Sequence, residues 1–169
     1  QTYRNIQLII MDDCSNDHSV AVIRDWIRTP QVPCVFIAHE HNQGVCRTAN
    51  EALSYAQGKY IAQIAADDLW LPDKLTCQVA ELERLPESVG VLYSDADMID
   101  TEGNPLPQRF IESIRTFEQP PEGRIFTELI RGNWLPVHGT LIVRESCGTA
   151  GPQEVRSSGD LQEIRRSGD

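Results

Sequence analysis

The chain has 169 residues, 40% hydrophobic and 24% charged, proportions that exclude a disordered polyelectrolyte and predict one domain with a core of its own. A formal net charge of −10 argues against a nucleic-acid partner, which needs a basic stripe, but leaves room for a phosphorylated ligand whose charge a metal ion offsets. Five cysteines, irregularly spaced and without a C-x-x-C pair, give no zinc or redox motif and predict reduced thiols in a cytoplasmic setting, and no apolar run of about 18 residues or signal-peptide pattern is present.

Residues 6–11 predict a buried strand that opens into the polar loop Asp12-Asp13-Cys14-Ser15-Asn16-Asp17. Ser15 or Asp17 can cap a helix running to about Arg28, with Val20, Ile23, Trp26 and Ile27 on one face. Pro30 and Pro33 break it before a second strand at 35–37. His41-Asn42-Gln43-Gly44 is a turn, and 45–56 predicts a helix closed by Gly58. A strand follows at 61–66, then Asp67 and Asp68, a helix from Pro72 to about Leu85, and a strand at 89–93 ending in Ser94-Asp95-Ala96-Asp97. Prolines and the turn at 100–104 predict loop structure over 100–121, followed by a helix near 122–130 and a strand at 140–143. Strands alternating with helices imply an α/β fold with an open, mostly parallel sheet and helices on both faces. Residues 148–169 lack apolar periodicity and predict a disordered or poorly packed tail. Because the chain runs straight into a strand, residues upstream of Gln1 are expected.

Asp67 and Asp68 are adjacent carboxylates at a predicted strand tip, the edge where open α/β sheets bind ligands. Two such acids repel unless a cation or donors share the charge, and hard oxygen ligands suit Mg²⁺ or Mn²⁺ holding a diphosphate. A helix-capping role before Pro72 explains them equally well. Asp13 likewise has a local alternative, closing the loop before the first helix.

The segment from Tyr3 through Ile9-Ile10-Met11-Asp12-Asp13-Cys14-Ser15-Asn16-Asp17 resembles the Q-T-Y-x-N-x-E-x-I-V-V-D-D-x-S-x-D stretch of family 2 glycosyltransferases. Asn42-Gln43-Gly44 with Asn50 is similar to that family's N-x-G…N helix start, and Asp67-Asp68-Leu69-Trp70-Leu71-Pro72-Asp73-Lys74-Leu75 to its D-x-D-D-x-W-x-P-x-K-L. Tyr93-Ser94-Asp95-Ala96-Asp97 fits the next segment, so the resemblance spans about residues 1–147 in order. It implies a GT-A (Rossmann-like) fold over 1–147 and an inverting transfer of sugar from a nucleotide-sugar donor, a UDP-sugar or similar. The acceptor would be a saccharide or lipid-linked molecule in cell-surface glycan synthesis. It further implies that Asp13 accepts a hydrogen bond from the nucleobase, that Asp12 shapes the same pocket with Asn42 and Gly44, and that Asp67 and Asp68 bind a divalent cation, Mg²⁺ or Mn²⁺, and through it the diphosphate. The implied location is cytoplasmic, peripheral to the inner face of the membrane, with membrane attachment only through segments outside this sequence.

Several positions depart from the pattern. Ala65 replaces the first acid of D-x-D-D, and Ala49 replaces the arginine before Asn50. Arg47 lies two positions earlier, about 200° around a helix, and reads as a solvated surface arginine. The family's first strand has no counterpart upstream of Gln1. Asn133 through Arg144 resembles the acceptor-side strand, but 148–169 does not match the segment that carries the general base; Asp160 and Glu163 are not assigned to that role. Asp95 and Asp97 fit a turn or cap as well as a catalytic part, and His138 fits a structural role more readily than an acceptor contact. Two other classes compete: a catalytically inactive nucleotide-binding or scaffolding module, and a receiver-like domain with an acidic pair after its first strand. The latter lacks its lone phosphoacceptor aspartate and late lysine.

Overall fold

The computed structural model describes residues 1–114, 121–132, 135–144 and 154–157. They fall into two compact units, Tyr3–Gly58 and Gln1–Thr2 with Lys59–Asp169.

In the Tyr3–Gly58 unit, β1 (Leu8–Asp12) is followed by helix α1 (Ser19–Trp26), β2 (Cys34–Ala38) and helix α2 (Val45–Tyr55). β1 and β2 pair in parallel from Leu8↔Cys34 to Asp12↔Ala38, as a strand–helix–strand crossover requires. Gln7 ties the start of β1 to the end of α2: its amide donates to the Tyr55 carbonyl at 3.0 Å and its oxygen accepts the Gln57 amide at 2.9 Å. α1 begins at Ser19 with His18, not Ser15 or Asp17, at its N-cap; the Asp17 carboxylate, one residue further out, accepts the Ser19 N–H at 2.8 Å. Val20, Ile23 and Ile27 are half-buried, but Trp26 is 53% exposed. With Leu8, Ile10, Val22 and Ile23 it lines an open apolar groove instead of a closed core.

In the other unit, β3 (Tyr60–Ala62), α3 (Lys74–Leu82) and β4 (Val89–Tyr93) precede a hairpin of β5 (Asp97–Ile99) and β6 (Pro105–Arg109). Helices α4 (Phe110–Ser113) and α5 (Phe126–Arg131), a 3₁₀ turn Val137–Gly139, β7 (Thr140–Val143) and β8 (Glu154–Ser157) complete it. Four strands are ordered β3-β7-β4-β8. β7 runs antiparallel to both β3 and β4, and β8 parallel to β4. The molecule is thus α/β, combining parallel and antiparallel ladders. β7 is antiparallel because the 3₁₀ turn delivers it beside the end of β4, where the Ser94 amide donates to the Gly139 carbonyl at 3.2 Å. The chain can only run back along β4 from there.

Three expectations need correcting here. The strand predicted over 61–66 stops at Ala62, because its partner β7 begins at Thr140 and offers no ladder to Gln63–Ala66; Ile64 is exposed. The loop predicted over 100–121 instead holds the β5–β6 hairpin and α4. Asp100 Oδ1 accepts the Glu102 and Asn104 amides at 2.8 and 2.9 Å, and Gly103 takes φ +85° to reverse the chain. Pro105 and Pro107 are tolerated because β6 lies in a two-stranded ribbon. Within 148–169, Glu154–Ser157 forms β8 on the open edge of β4, where unpaired backbone groups offer a ladder. The rest of that tail lies outside the described residues.

The core of this unit centres on Leu92 and Tyr93, both without solvent exposure, with Leu75, Leu82, Val89 and Leu141 buried around them. Tyr93, Ile111 and Ile125 form one cluster, packed by Val91, Phe110, Leu129 and Leu135. Burying such side chains stabilises by about 1.5–3 kcal/mol each relative to exposure.

Candidate functional site

At the end of β1 the chain places two carboxylates back to back, with different partners. Asp12 is buried, and its Oδ1 accepts the Ser15 N–H at 3.0 Å while its carbonyl accepts the His39 N–H at 2.9 Å. It closes the loop. Cys14, at φ +70°, is the one non-glycine residue in the left-handed region among the described residues, and this turn aims Asp13 toward α2. Asp13 Oδ1 accepts the Gln43 amide at 2.8 Å, and Oδ2 accepts the Gly44 amide at 2.8 Å. Asn42 Nδ2 donates to the Asp13 carbonyl at 3.2 Å.

Gly44 stands immediately before α2 at φ +84°, a conformation that needs glycine. The carboxylate therefore sits at the positive end of that helix. The Gln43 amide first, then the His39 ring and the Gly44 amide, hold the Asp13 pKa down to about 2. Asp13, Asn42 and Gly44 are brought together, with Asp12 adjacent and turned to its own loop.

His39 and Glu51 belong to the same cluster. His39 Nδ1 lies 2.8 Å from Asp13 Oδ1, and its Nε2 lies 2.9 Å from Glu51 Oε2 on α2. Sequence reading missed both, because only the β1–β2 register puts residue 39 beside residue 13.

The second acidic pair sits in the other unit. Asp67 is exposed in a turn in which the Asp68 amide donates to the Ala65 carbonyl at 3.3 Å, five or more residues beyond β3 and not at its tip. Asp68 is half-buried, and its carboxylate contacts His138 Nδ1. The His138 backbone is fixed from several directions. Trp70 Nε1 donates to its carbonyl at 2.7 Å, and the next carbonyl, of Gly139, accepts Gln78 Nε2 at 2.7 Å and Ser94 Oγ at 3.1 Å. A Cβ on Gly139 would lie 2.5 Å from the Ser94 carbonyl oxygen, so only glycine permits this approach. Lys74, 8% exposed, places Nζ 4.2 Å from the centre of the Trp70 ring; no hydrogen bond reaches the amine, and burial pushes its pKa down to about 8.

Asp95 and Asp97 have partners within the fold. Asp95 Oδ1 accepts the Ala96 and Ile111 amides at 2.8 and 2.9 Å, the latter at the start of α4, and both acids pair with Arg109. Arg47 is exposed, as its helical position predicts, whereas Asp160 and Glu163 lie outside the described residues.

A divalent cation is a reasonable fit for Asp67 and Asp68 only with help. Among the described residues no group of three or more His, Cys, Asp or Glu side chains could hold a metal alone. Mg²⁺ and Mn²⁺ are often bound through one or two carboxylates with substrate phosphates completing the shell, and the two acids meet that requirement. Ala65 contributes no ligand.

A family model described as Glycosyl transferase family 2 matches residues 1–139. TuaG of Bacillus subtilis, named for glycosyl transfer in teichuronic acid biosynthesis, is 26% identical over 162 residues, covering 95% of this chain and 60% of TuaG. WfaP of Escherichia coli, a UDP-Glc:alpha-D-GlcNAc-diphosphoundecaprenol beta-1,3-glucosyltransferase, is 34% identical over 103 residues, covering 60% of this chain and 40% of WfaP. The chain thus spans about half the length of these curated relatives. Among solved structures, the mannosyltransferase PcManGT of Pyrobaculum calidifontis in complex with GDP-Man and Mn²⁺ superposes with a TM-score of 0.57 at 15% identity, covering 92% of this chain and 46% of that one. At that identity the likeness is one of fold, and the fold is GT-A.

Proposed function

The chain belongs to glycosyl transferase family 2, and from that premise we propose that it forms the donor-binding part of a glycosyltransferase that builds cell-surface glycan. The donor is a nucleotide-sugar and the acceptor a saccharide or lipid-linked molecule. Support comes from the relatives: WfaP is named for a UDP-glucose donor and a diphosphoundecaprenol-linked acceptor, and PcManGT was solved with GDP-Man and Mn²⁺.

The observation that carries the reading is the Asp13 carboxylate, fixed at the opening of α2 by the Gln43 and Gly44 amides and the His39 ring. An imide N–H of a nucleobase needs an acceptor-only partner, and an ionised carboxylate is one. Oδ1 already takes two hydrogen bonds, from Gln43 and His39, while Oδ2 takes one from Gly44. Oδ2 is thus the atom with room for the base. Asp12 and Asn42 shape this pocket by holding the loops on either side.

Asp67 and Asp68 are the cation ligands in this reading. A bound Mg²⁺ or Mn²⁺ would offset the charge that grows on the diphosphate leaving group. The exposed Asp67 is free to turn toward a cation, while Asp68 exchanges its contact with His138 for the ion. Trp70, Gln78 and Ser94 keep that part of the chain in place during the exchange. No helix among the described residues is long and apolar enough to cross a membrane; we place the protein at the inner face of the cell membrane, where a lipid-linked acceptor is presented.

A thermal-shift titration with UDP, GDP and other nucleoside diphosphates, with and without Mn²⁺, tests this. A ligand that binds only the folded state raises the midpoint by mass action. A Mn²⁺-enhanced rise with one nucleoside diphosphate supports donor binding, whereas no response to any nucleotide refutes it.

A further inference from the structure

We propose that His39 is a positioning residue for the donor site: held as an imidazolium between Asp13 and Glu51, it fixes the Asp13 carboxylate against the amides that open α2, and so sets how tightly the chain holds a nucleoside diphosphate. The inference rests on the reading of Asp13 as the acceptor for the nucleobase, and it deepens that reading.

The donors and acceptors around the ring fix its charge. His39 Nδ1 lies 2.8 Å from Asp13 Oδ1, and Nε2 lies 2.9 Å from Glu51 Oε2. Ionised carboxylates only accept, and a neutral imidazole carries a single N–H. Both contacts are hydrogen bonds only when both ring nitrogens are protonated. A neutral ring would press a lone pair against one carboxylate. The side chain is 5% exposed, so water cannot make good that mismatch.

The charged groups facing the ring come from both neighbouring elements, Asp13 from the β1–α1 loop and Glu51 from α2. Asp12, the next carboxylate, accepts the His39 amide through its carbonyl and turns its side chain to Ser15. Glu40 and His41 are exposed neighbours on the ring's own loop. The hydrogen bond that the ring donates to Asp13, with the hydrogen bond to Glu51 and the charge of both carboxylates behind it, raises the His39 pKa above its ordinary value against the opposing effect of burial.

The consequence for the donor site is directional. With the ring and the Gln43 amide both on Oδ1, the carboxylate cannot rotate without breaking two hydrogen bonds, and Oδ2 stays presented beside Gly44. Deprotonation, or removal of the ring, frees that rotation and loosens the link from the end of β2 to α2. Donor affinity then falls as pH rises through the raised His39 pKa and is level below the ordinary value of about 6.5.

The experiment uses the full chain and two readouts. Ring-nitrogen NMR follows the protonation of His39 with pH, and isothermal titration with UDP and with GDP follows affinity across the same range. The expected results are a ring doubly protonated past about pH 6.5, a lower midpoint in Glu51→Gln, and nucleotide affinity that declines with the same midpoint in the wild type. His39→Gln should bind about tenfold more weakly with the pH dependence gone, the scale of one lost charge-assisted hydrogen bond. A neutral ring with one contact broken at about pH 6 overturns the proposal outright. If His39→Gln binds as the wild type does while Asp13→Asn does not bind, His39 has no positioning role and the donor reading survives. If neither substitution changes nucleotide binding, the donor reading of Asp13 fails and this inference falls with it. Should His39→Gln not fold, a wild-type affinity that stays flat through the ring's midpoint is the overturning result.

Discussion

Gly139→Ala tests whether the 3₁₀ turn that carries His138 is fixed by close backbone approach. The added Cβ would stand 2.5 Å from the Ser94 carbonyl oxygen and 3.2 Å from Ser94 Oγ. The first of these is a backbone atom at the end of β4, so no rotamer change relieves the clash. Separation must also stretch bonds to the Gly139 carbonyl, which accepts from Gln78 Nε2 at 2.7 Å, from Ser94 Oγ at 3.1 Å and from the Ser94 amide at 3.2 Å. Gln78 is fully buried, so its amide has no water to turn to. Overpacking of this kind costs about 1–3 kcal/mol, and each weakened internal hydrogen bond about 1 kcal/mol more. The expected loss is about 3 kcal/mol. With a urea m-value of about 2 kcal/mol/M, the unfolding midpoint should fall by about 1.5 M at unchanged slope. Ser94→Ala, which removes only the hydroxyl, should not rescue the variant. A loss below about 0.5 kcal/mol would refute the reasoning, because a surface-like tolerance is incompatible with a backbone contact this close.

Three further outcomes are expected from the same network and from the thiols. Lys74→Met keeps an unbranched chain on the Trp70 ring and removes a buried amine whose pKa burial lowers from 10.5 to about 8. The folded state then binds fewer protons than the unfolded one between those values, so wild-type stability should rise with pH from about 8 to about 10.5, by up to about 3 kcal/mol. The variant should lack that slope and be the more stable protein at neutral pH; an unchanged slope in urea titrations would contradict the assignment. Trp70→Phe retains the ring beneath Lys74 but loses the 2.7 Å hydrogen bond to the His138 carbonyl, and should cost about 1 kcal/mol in chemical denaturation. Mass-spectrometric mapping of thiol labelling should find exposed Cys46 modified ahead of Cys34 and Cys77, whose thiols burial pushes up.

The parts of this molecule legible in its sequence are those written in local patterns. The apolar run of β1, its polar exit loop, the crossover to β2 and the glycine opening α2 were all predictable from spacing and turn chemistry. The family pattern singled out Asp13, Asn42 and Gly44, though not the hydrogen bonds that join them. Long-range partners were not legible. Residues 61–66 look like one buried strand, yet β3 ends where its antiparallel partner β7 begins, and nothing near Ala62 announces that. The proline-rich stretch after Asp100 reads as loop, although a ribbon with free edges accommodates proline where an inner strand would not. Trp26 lies on the apolar stripe of α1 and is nonetheless half exposed, because periodicity specifies a face but not whether anything covers it. His39 and Glu51 carry no local signal, since their meeting depends on the β1–β2 register and on α2 packing beside it. Gly139 is similar: its need for glycine arises from Ser94, 45 residues away.

Calorimetric titration of UDP and GDP into the wild type, Asp13→Asn and Asp68→Ala, each with and without Mn²⁺, tests the central claim most directly. The account predicts wild-type binding that Mn²⁺ strengthens, loss of binding in Asp13→Asn with or without the ion, and retention in Asp68→Ala of only the metal-independent part. Equal affinities in all three proteins, indifferent to Mn²⁺, would contradict it.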